Sequence, residues 1–165
     1  MTKARQGFIA GFVFAVLTLS AGCGVGRNLI VQPPQTRIRA ASASAAEGNS
    51  PVGVPAEMKS EFQSKLDQYL YAENGSQRGQ ELRIRYRFIQ YDPGSQFSRW
   101  FFGGLGNTGE GSLTIESKFY DSADKELATV QTEGRIGSGF FGGSFGEALD
   151  KAAEKVAEYA KTNFK

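Results

Sequence analysis

The chain has 165 residues, 19 basic and 17 acidic side chains, one cysteine and no histidine. That length fits one domain with appendages rather than two full domains. The missing histidine removes the commonest general base and metal ligand, and a lone cysteine removes internal disulfides, iron–sulfur clusters and cysteine-rich zinc sites, so no metal and no cofactor is expected.

The amino terminus carries Lys3 and Arg5 without an acid, then an uncharged apolar run over 7–19, then Ser20-Ala21-Gly22-Cys23. A short positive region, an apolar stretch and small residues make a secretory signal over 1–22. The apolar stretch of about 16 residues falls short of the roughly 20 that a membrane-spanning helix needs.

Leu19-Ser20-Ala21-Gly22-Cys23 resembles the lipobox of bacterial lipoproteins, with Ser20 where that motif usually has leucine. The resemblance implies cleavage between Gly22 and Cys23, and acylation of Cys23 by a diacylglyceryl group and an amide-linked chain such as palmitate. The lipid bilayer is then a partner, because each buried methylene contributes about 0.8 kcal/mol and two chains hold stably. An ordinary signal peptide in which Cys23 is incidental is the plainer alternative. Residue 24 is glycine rather than the aspartate that commonly retains such proteins at the inner membrane, which implies the periplasmic face of the outer membrane in a Gram-negative cell. Removal of the signal leaves 17 basic against 17 acidic side chains. A neutral domain predicts no nucleic-acid partner.

Residues 24–54 read as a tether, with Pro33-Pro34 and the Ala/Ser run Ala40 to Ala46. Such composition buries too little apolar surface to order itself, and as coil it spans on the order of 30 Å. Leu29-Ile30-Val31 and Thr36-Arg37-Ile38-Arg39 are each short enough for an edge strand, and the second is favoured as part of the domain. The division is a lipidated tether at 23–35 and a single domain at 36–165 with its firm core at 55–165.

Within that core, Pro55 to Ala72 reads as a helix, with Met58, Phe62, Leu66, Tyr69 and Leu70 on one face and Asn74-Gly75 as its stop. Glu81 to Tyr91 alternates as a strand: Leu82, Ile84, Tyr86 and Phe88 face one way, Arg83, Arg85 and Arg87 the other. Asp92-Pro93-Gly94-Ser95 has type II turn residues. Ser112 to Asp121 is a second strand, Ser122 to Lys125 a hairpin turn, and Glu126 to Ile136 a third strand carried by Ala128, Val130 and Ile136. Ser144 and Glu147 form a capping box for a last helix, in which Phe145, Leu149, Ala152, Val156, Ala160 and Phe164 recur at helical spacing and Glu147 pairs with Lys151. The expected fold is α+β: a small antiparallel sheet of three to four strands with two helices packed on one face.

Two glycine–aromatic segments interrupt this pattern. Phe101-Phe102-Gly103-Gly104 recurs as Phe140-Phe141-Gly142-Gly143, each at the end of a sheet element. Trp100, Phe101, Phe102, Phe140 and Phe141 are candidates for contact with a membrane or protein partner. The alternative is that the rings plug the core and the glycines permit tight turns. Gly104-x-Gly106-x-x-Gly109 matches a dinucleotide fingerprint in letters only, because a β-patterned segment follows where a helix is required, so no nucleotide is expected. Gly142-Gly143-Ser144 opens a helix that could hold an anion, but Ser144 itself serves as the simpler cap.

Tyr91-Asp92-Pro93-Gly94, Arg99-Trp100, Gly103-Gly104-Leu105-Gly106, Tyr120-Asp121 and Gly139-Phe140-Phe141-Gly142-Gly143 together resemble a family of small uncharacterised bacterial envelope lipoproteins, a domain of unknown function, over roughly residues 36–165. The resemblance implies a fold and a location but no mechanism.

No catalytic residue is expected. Ser–His–Asp chemistry lacks its base. Glu110, Glu116 and Asp121 are the acids a polysaccharide hydrolase could use, but Glu116 reads as an exposed cross-strand partner of the arginine stripe, and Asp121 and Asp124 as turn residues. Tyr86 and Phe88 point away from the arginines, so the stripe does not form a base-stacking surface; a solvated face, with anionic head groups or polysaccharide as a minor alternative, fits better. The expectation is a membrane-anchored envelope lipoprotein that works as a non-catalytic binding or accessory module with an envelope protein partner. A cell-wall polysaccharide hydrolase and an auxiliary subunit of a transport or secretion complex are the alternatives.

Overall fold

The computed structural model describes residues 26–34, 36, 38–73, 75–93, 111–135 and 145–165. In chain order the elements are β1 (Gly26–Gln32), β2 (Ser42–Glu47), α1 (Ala56–Leu70), β3 (Gln77–Arg78), β4 (Leu82–Asp92), β5 (Ser112–Asp121), β6 (Glu126–Arg135) and α2 (Phe145–Phe164). The strands form one six-stranded sheet in the order β1-β6-β5-β4-β2-β3. β2 runs parallel to β3 and β4, and the other pairs are antiparallel.

This corrects the expected sheet. The class remains α+β, with two helices among the described residues, but the sheet is six-stranded and mixed rather than antiparallel with three to four strands. Both additional long strands come from the stretch read as tether. β2 is built from the Ala/Ser run, whose missing apolar bulk hides it from composition. Its order comes from the backbone ladder to β4, from Ala43 to Glu47 against Leu82 to Tyr86. Small side chains then suit its position, since Ala43 is fully buried and the Tyr71 hydroxyl donates to its carbonyl at 3.0 Å. A parallel pair needs a long crossover, and α1 supplies it between β2 and β4. β1 is the Leu29-Ile30-Val31 segment, paired with β6. Of the favoured segment, the described Thr36, Ile38 and Arg39 are not in a strand; Ile38 packs on the core and the Ala40 amide donates to the Phe164 carbonyl at 2.7 Å.

The core lies between one face of the sheet and both helices. Alternation in β4 sends Leu82, Ile84, Tyr86 and Phe88 inward, and β5 adds Leu113, Ile115 and Phe119. From α1 come Phe62, Leu66 and Leu70, and from α2 Leu149, Ala152, Ala153, Val156 and Phe164. A ring pair joins each helix to a strand: the Phe62 and Tyr86 centroids lie 4.8 Å apart edge to face, and those of Phe164 and Phe119 lie 5.5 Å apart with tilted planes. In α2, Lys151 pairs with Glu154 at 2.8 Å. Ser144, Ile136 and Gly94-Ser95, which carry the expected cap, strand end and turn, lie outside the described residues.

Candidate functional site

The sheet face opposite the helices is polar and lies open. Strand alternation in β4 places Arg83, Arg85 and Arg87 there, and β5 adds Glu116, Lys118 and Tyr120. Register decides their partners: Arg87 lies opposite Glu116, Arg85 opposite Lys118, and Arg83 opposite Tyr120. β6 contributes Gln131 opposite Glu116 and Thr129 opposite Lys118.

Most of these charges are engaged across strands. Arg87 donates from Nε to Glu116 Oε1 at 2.8 Å, its Nη2 lies 2.8 Å from the same oxygen, and Gln131 Nε2 donates to Oε2 at 3.4 Å. Glu116 is only 8% exposed, which corrects its reading as an exposed acid: neighbours on both flanking strands cover it. Lys118 lies 3.0 Å from Glu126. That hydrogen bond raises the lysine's pKa, while Thr129 first and Lys118 second hold the Glu126 carboxyl below its usual range. Arg83 donates to the Asp121 carbonyl at 2.7 Å and lies 2.8 Å from Asp124. The hairpin acids are turn residues, as expected: Asp121 Oδ1 accepts from the amides of Ala123 and Lys125, and Asp124 has φ 63°.

Arg85 is the exception. It faces Lys118 across the ladder, its closest ion-pair carboxylate is Asp124 at 3.7 Å, and its guanidinium lies 5.4 Å from the Tyr120 ring centroid. A shallow cavity of about 350 Å³ opens there, with Asn49, Arg85, Arg87, Glu116, Lys118 and Tyr120 in its lining. Chemically this arrangement can bind through guanidinium, ammonium, amide and ring face. Sequence alternation alone implies that Lys118 and Tyr120 share the arginine face, although attention to the β4 stripe obscures it. Asn49 carries no such signal, because the turn after β2 brings it there. Among the described residues no three acids or cysteines cluster in a way that could hold a metal.

The expected contact residues Trp100, Phe101, Phe102, Phe140 and Phe141, the acid Glu110, and Gly22 and Cys23 lie outside the described residues. The described residues around them nevertheless share one end of the sheet. Asp92 pairs with Ser112 and Ser112 with Arg135, while the Tyr91 and Phe145 rings lie 5.7 Å apart. The described residues that flank 94–110 and 136–144 therefore lie at the same end. β1 starts there too, with Gly26 opposite Gly134. At the sheet's free edge, β1 exposes Leu29, Ile30 and Val31, each more than half exposed, and such an edge is a ready template for association.

No curated protein matches the sequence. Among solved structures, the fold is similar to the PelC dodecamer from Paraburkholderia phytofirmans, with a TM-score of 0.54 at 9% identity over 81% of this chain and 94% of that one. A point variant of the same dodecamer gives 0.49 at 11% identity over 81% and 93%. The family model for a domain of unknown function, DUF4410, matches residues 27–139. With more than half of its length matched, the chain belongs to the DUF4410 family.

Proposed function

We propose that the protein is a lipid-anchored, non-catalytic binding or accessory module of the bacterial cell envelope, attached through acyl chains on Cys23 at the periplasmic face of the outer membrane. The supporting observation is the common end of the sheet. Two residues, Gly24 and Val25, and so three Cα–Cα steps of at most roughly 11 Å in all, separate Cys23 from Gly26. The described residues that flank both glycine–aromatic segments lie at the end where Gly26 pairs. An anchor there would hold this end of the sheet, with the described residues that flank the candidate contacts Trp100, Phe101, Phe102, Phe140 and Phe141 in the sequence, close to the bilayer or to a membrane-bound partner. The charges of the open face favour binding over hydrolysis, since Glu116 and Glu126 are spent on Arg87 and Lys118. The dodecameric state of PelC and the bare apolar edge at β1 support work within an assembly.

Metabolic labelling with radioactive palmitate tests the anchor. The expected result is a labelled protein in the membrane fraction, with both label and membrane attachment lost in Cys23→Ser. Unlabelled mature protein in the soluble fraction would overturn the reading.

A further inference from the structure

We propose that the open face of the sheet holds an anion-binding site centred on Arg85, which takes a carboxylate or phosphate group carried by an envelope polysaccharide or a lipid head group. This goes beyond the anchored-module reading and does not depend on acylation.

The argument starts from the ladder. Arg85 and Lys118 are direct cross-strand neighbours on one face. Like charges in that relation are unfavourable, and a sheet under selection for stability alone would place an acid at one of the two positions, as it does one pair further along with Arg87 and Glu116. The neighbouring acids do not offset the conflict at Arg85. Glu116 is engaged by Arg87, Glu126 by Lys118, and the Asp124 oxygen near Arg85 lies closer to Arg83, at 2.8 Å against 3.7 Å. Arg85 keeps 60% of its side chain exposed and lines the cavity.

The cavity fits an anion better than a neutral apolar molecule. Arg85, Arg87 and Lys118 line it against the single carboxylate of Glu116. Tyr120 lies against the Arg85 guanidinium and gives a flat ring beside the charge, which suits a sugar ring that bears a carboxylate. Asn49 adds an amide at the rim. Guanidinium–oxyanion pairing is directional and stronger than a neutral hydrogen bond, so one under-compensated arginine suffices to anchor such a group.

Thermal unfolding and calorimetric titration of the full chain in neutral detergent test the site. The probes are inorganic phosphate, trigalacturonate and phosphatidylglycerol mixed into the detergent micelles, each against sodium chloride at matched ionic strength. Phosphate or trigalacturonate is expected to raise the melting temperature above the chloride control. Arg85→Gln is expected to weaken binding by about tenfold or more, Lys118→Gln by less, and Lys155→Gln, on a helix behind the sheet, not at all. Arg85→Gln in the absence of ligand is expected to melt at or above the wild-type temperature, because it relieves the Lys118 conflict. Tighter binding of trigalacturonate than of the phosphatidylglycerol micelles assigns the anion to a saccharide, and the reverse assigns it to a lipid; both support the site. No probe effect beyond chloride, an effect unchanged in Arg85→Gln, or an Arg85→Gln chain that melts several degrees lower would overturn it.

Discussion

The Thr132 hydroxyl donates to Asn28 Oδ1 at 2.7 Å, and Asn28 Nδ2 in turn donates to the Lys155 carbonyl at 3.1 Å. One amide thus fastens β1 to β6 and to α2, and it satisfies a threonine that is fully buried. Asn28→Ala removes both bonds and leaves a buried hydroxyl without its acceptor. A cost of about 1–3 kcal/mol follows, visible as a fall of several degrees in melting temperature. Amide exchange should accelerate across β1 more than across β5. Equal acceleration in both strands would mean that the bond supports the fold globally rather than latching its edge.

Tyr86 links three elements. Its hydroxyl donates to Gln63 Oε1 at 2.8 Å, and Gln63 Nε2 donates to Asp67 at 2.8 Å and to the Ala45 carbonyl at 3.3 Å. Burial, and then the carboxylates of Glu47 and Asp67, push the phenol's pKa well above its ordinary 10.0. The folded chain therefore keeps a proton that the unfolded chain releases above about pH 10, so stability is full below that pH and falls as pH rises beyond it. Tyr69, Tyr71 and Tyr159 shift in the same direction. Tyr86→Phe should cost about 0.5–1.5 kcal/mol at pH 7 and flatten the loss between pH 10 and 11, measured by urea unfolding. An unchanged alkaline slope would show that the other tyrosines carry it.

The helix periodicity of 145–164 and the alternation of 82–92 were legible because large apolar side chains mark the buried face at each step. β2 was not, because Ala43 is small and its burial depends on α1 and Tyr71, which the local sequence does not specify. β1 was legible as an apolar stretch, but its partner β6 lies about a hundred residues on, and nothing local announces that pairing. For the candidate site, the arginine stripe was readable, whereas the burial of Glu116 was not, since it requires covering neighbours from two separate strands. Arg85 facing Lys118 depends on register, which hairpin patterning constrains only loosely across the long 94–110 connection.

Arg87 and Glu116 offer a direct measure of the open face's pairing. Arg87 is nearly half exposed, which limits the worth of the pair, while Glu116 is largely covered. A double-mutant cycle with Arg87→Ala and Glu116→Gln should give a coupling of about 1 kcal/mol, reduced in high salt. Arg87→Ala alone should cost more than Glu116→Gln alone, because it leaves a covered carboxylate with Gln131 as its remaining side-chain donor. The reverse order, read from urea midpoints, would mean that water reaches Glu116 freely.

Gly134 sets how closely α2 approaches β6. A Cβ at this position would lie 3.0 Å from the Ala148 carbonyl oxygen and 3.4 Å from the Ala148 Cβ. Two effects compete in Gly134→Ala. Loss of glycine's unfolded-state freedom favours alanine by about 0.5–1 kcal/mol, whereas crowding in a packed core costs about 1–3 kcal/mol. The atom met is a helix backbone oxygen rather than the tip of a flexible side chain, so α2 as a body must give way and crowding wins. Gly134→Ala should be less stable by about 1 kcal/mol and Gly134→Val by more, in denaturant titrations with unchanged m-values. A Gly134→Ala chain more stable than wild type would mean that the first turn of α2 yields, and that the fold tolerates a wider gap between this helix and the sheet than Ala148 suggests.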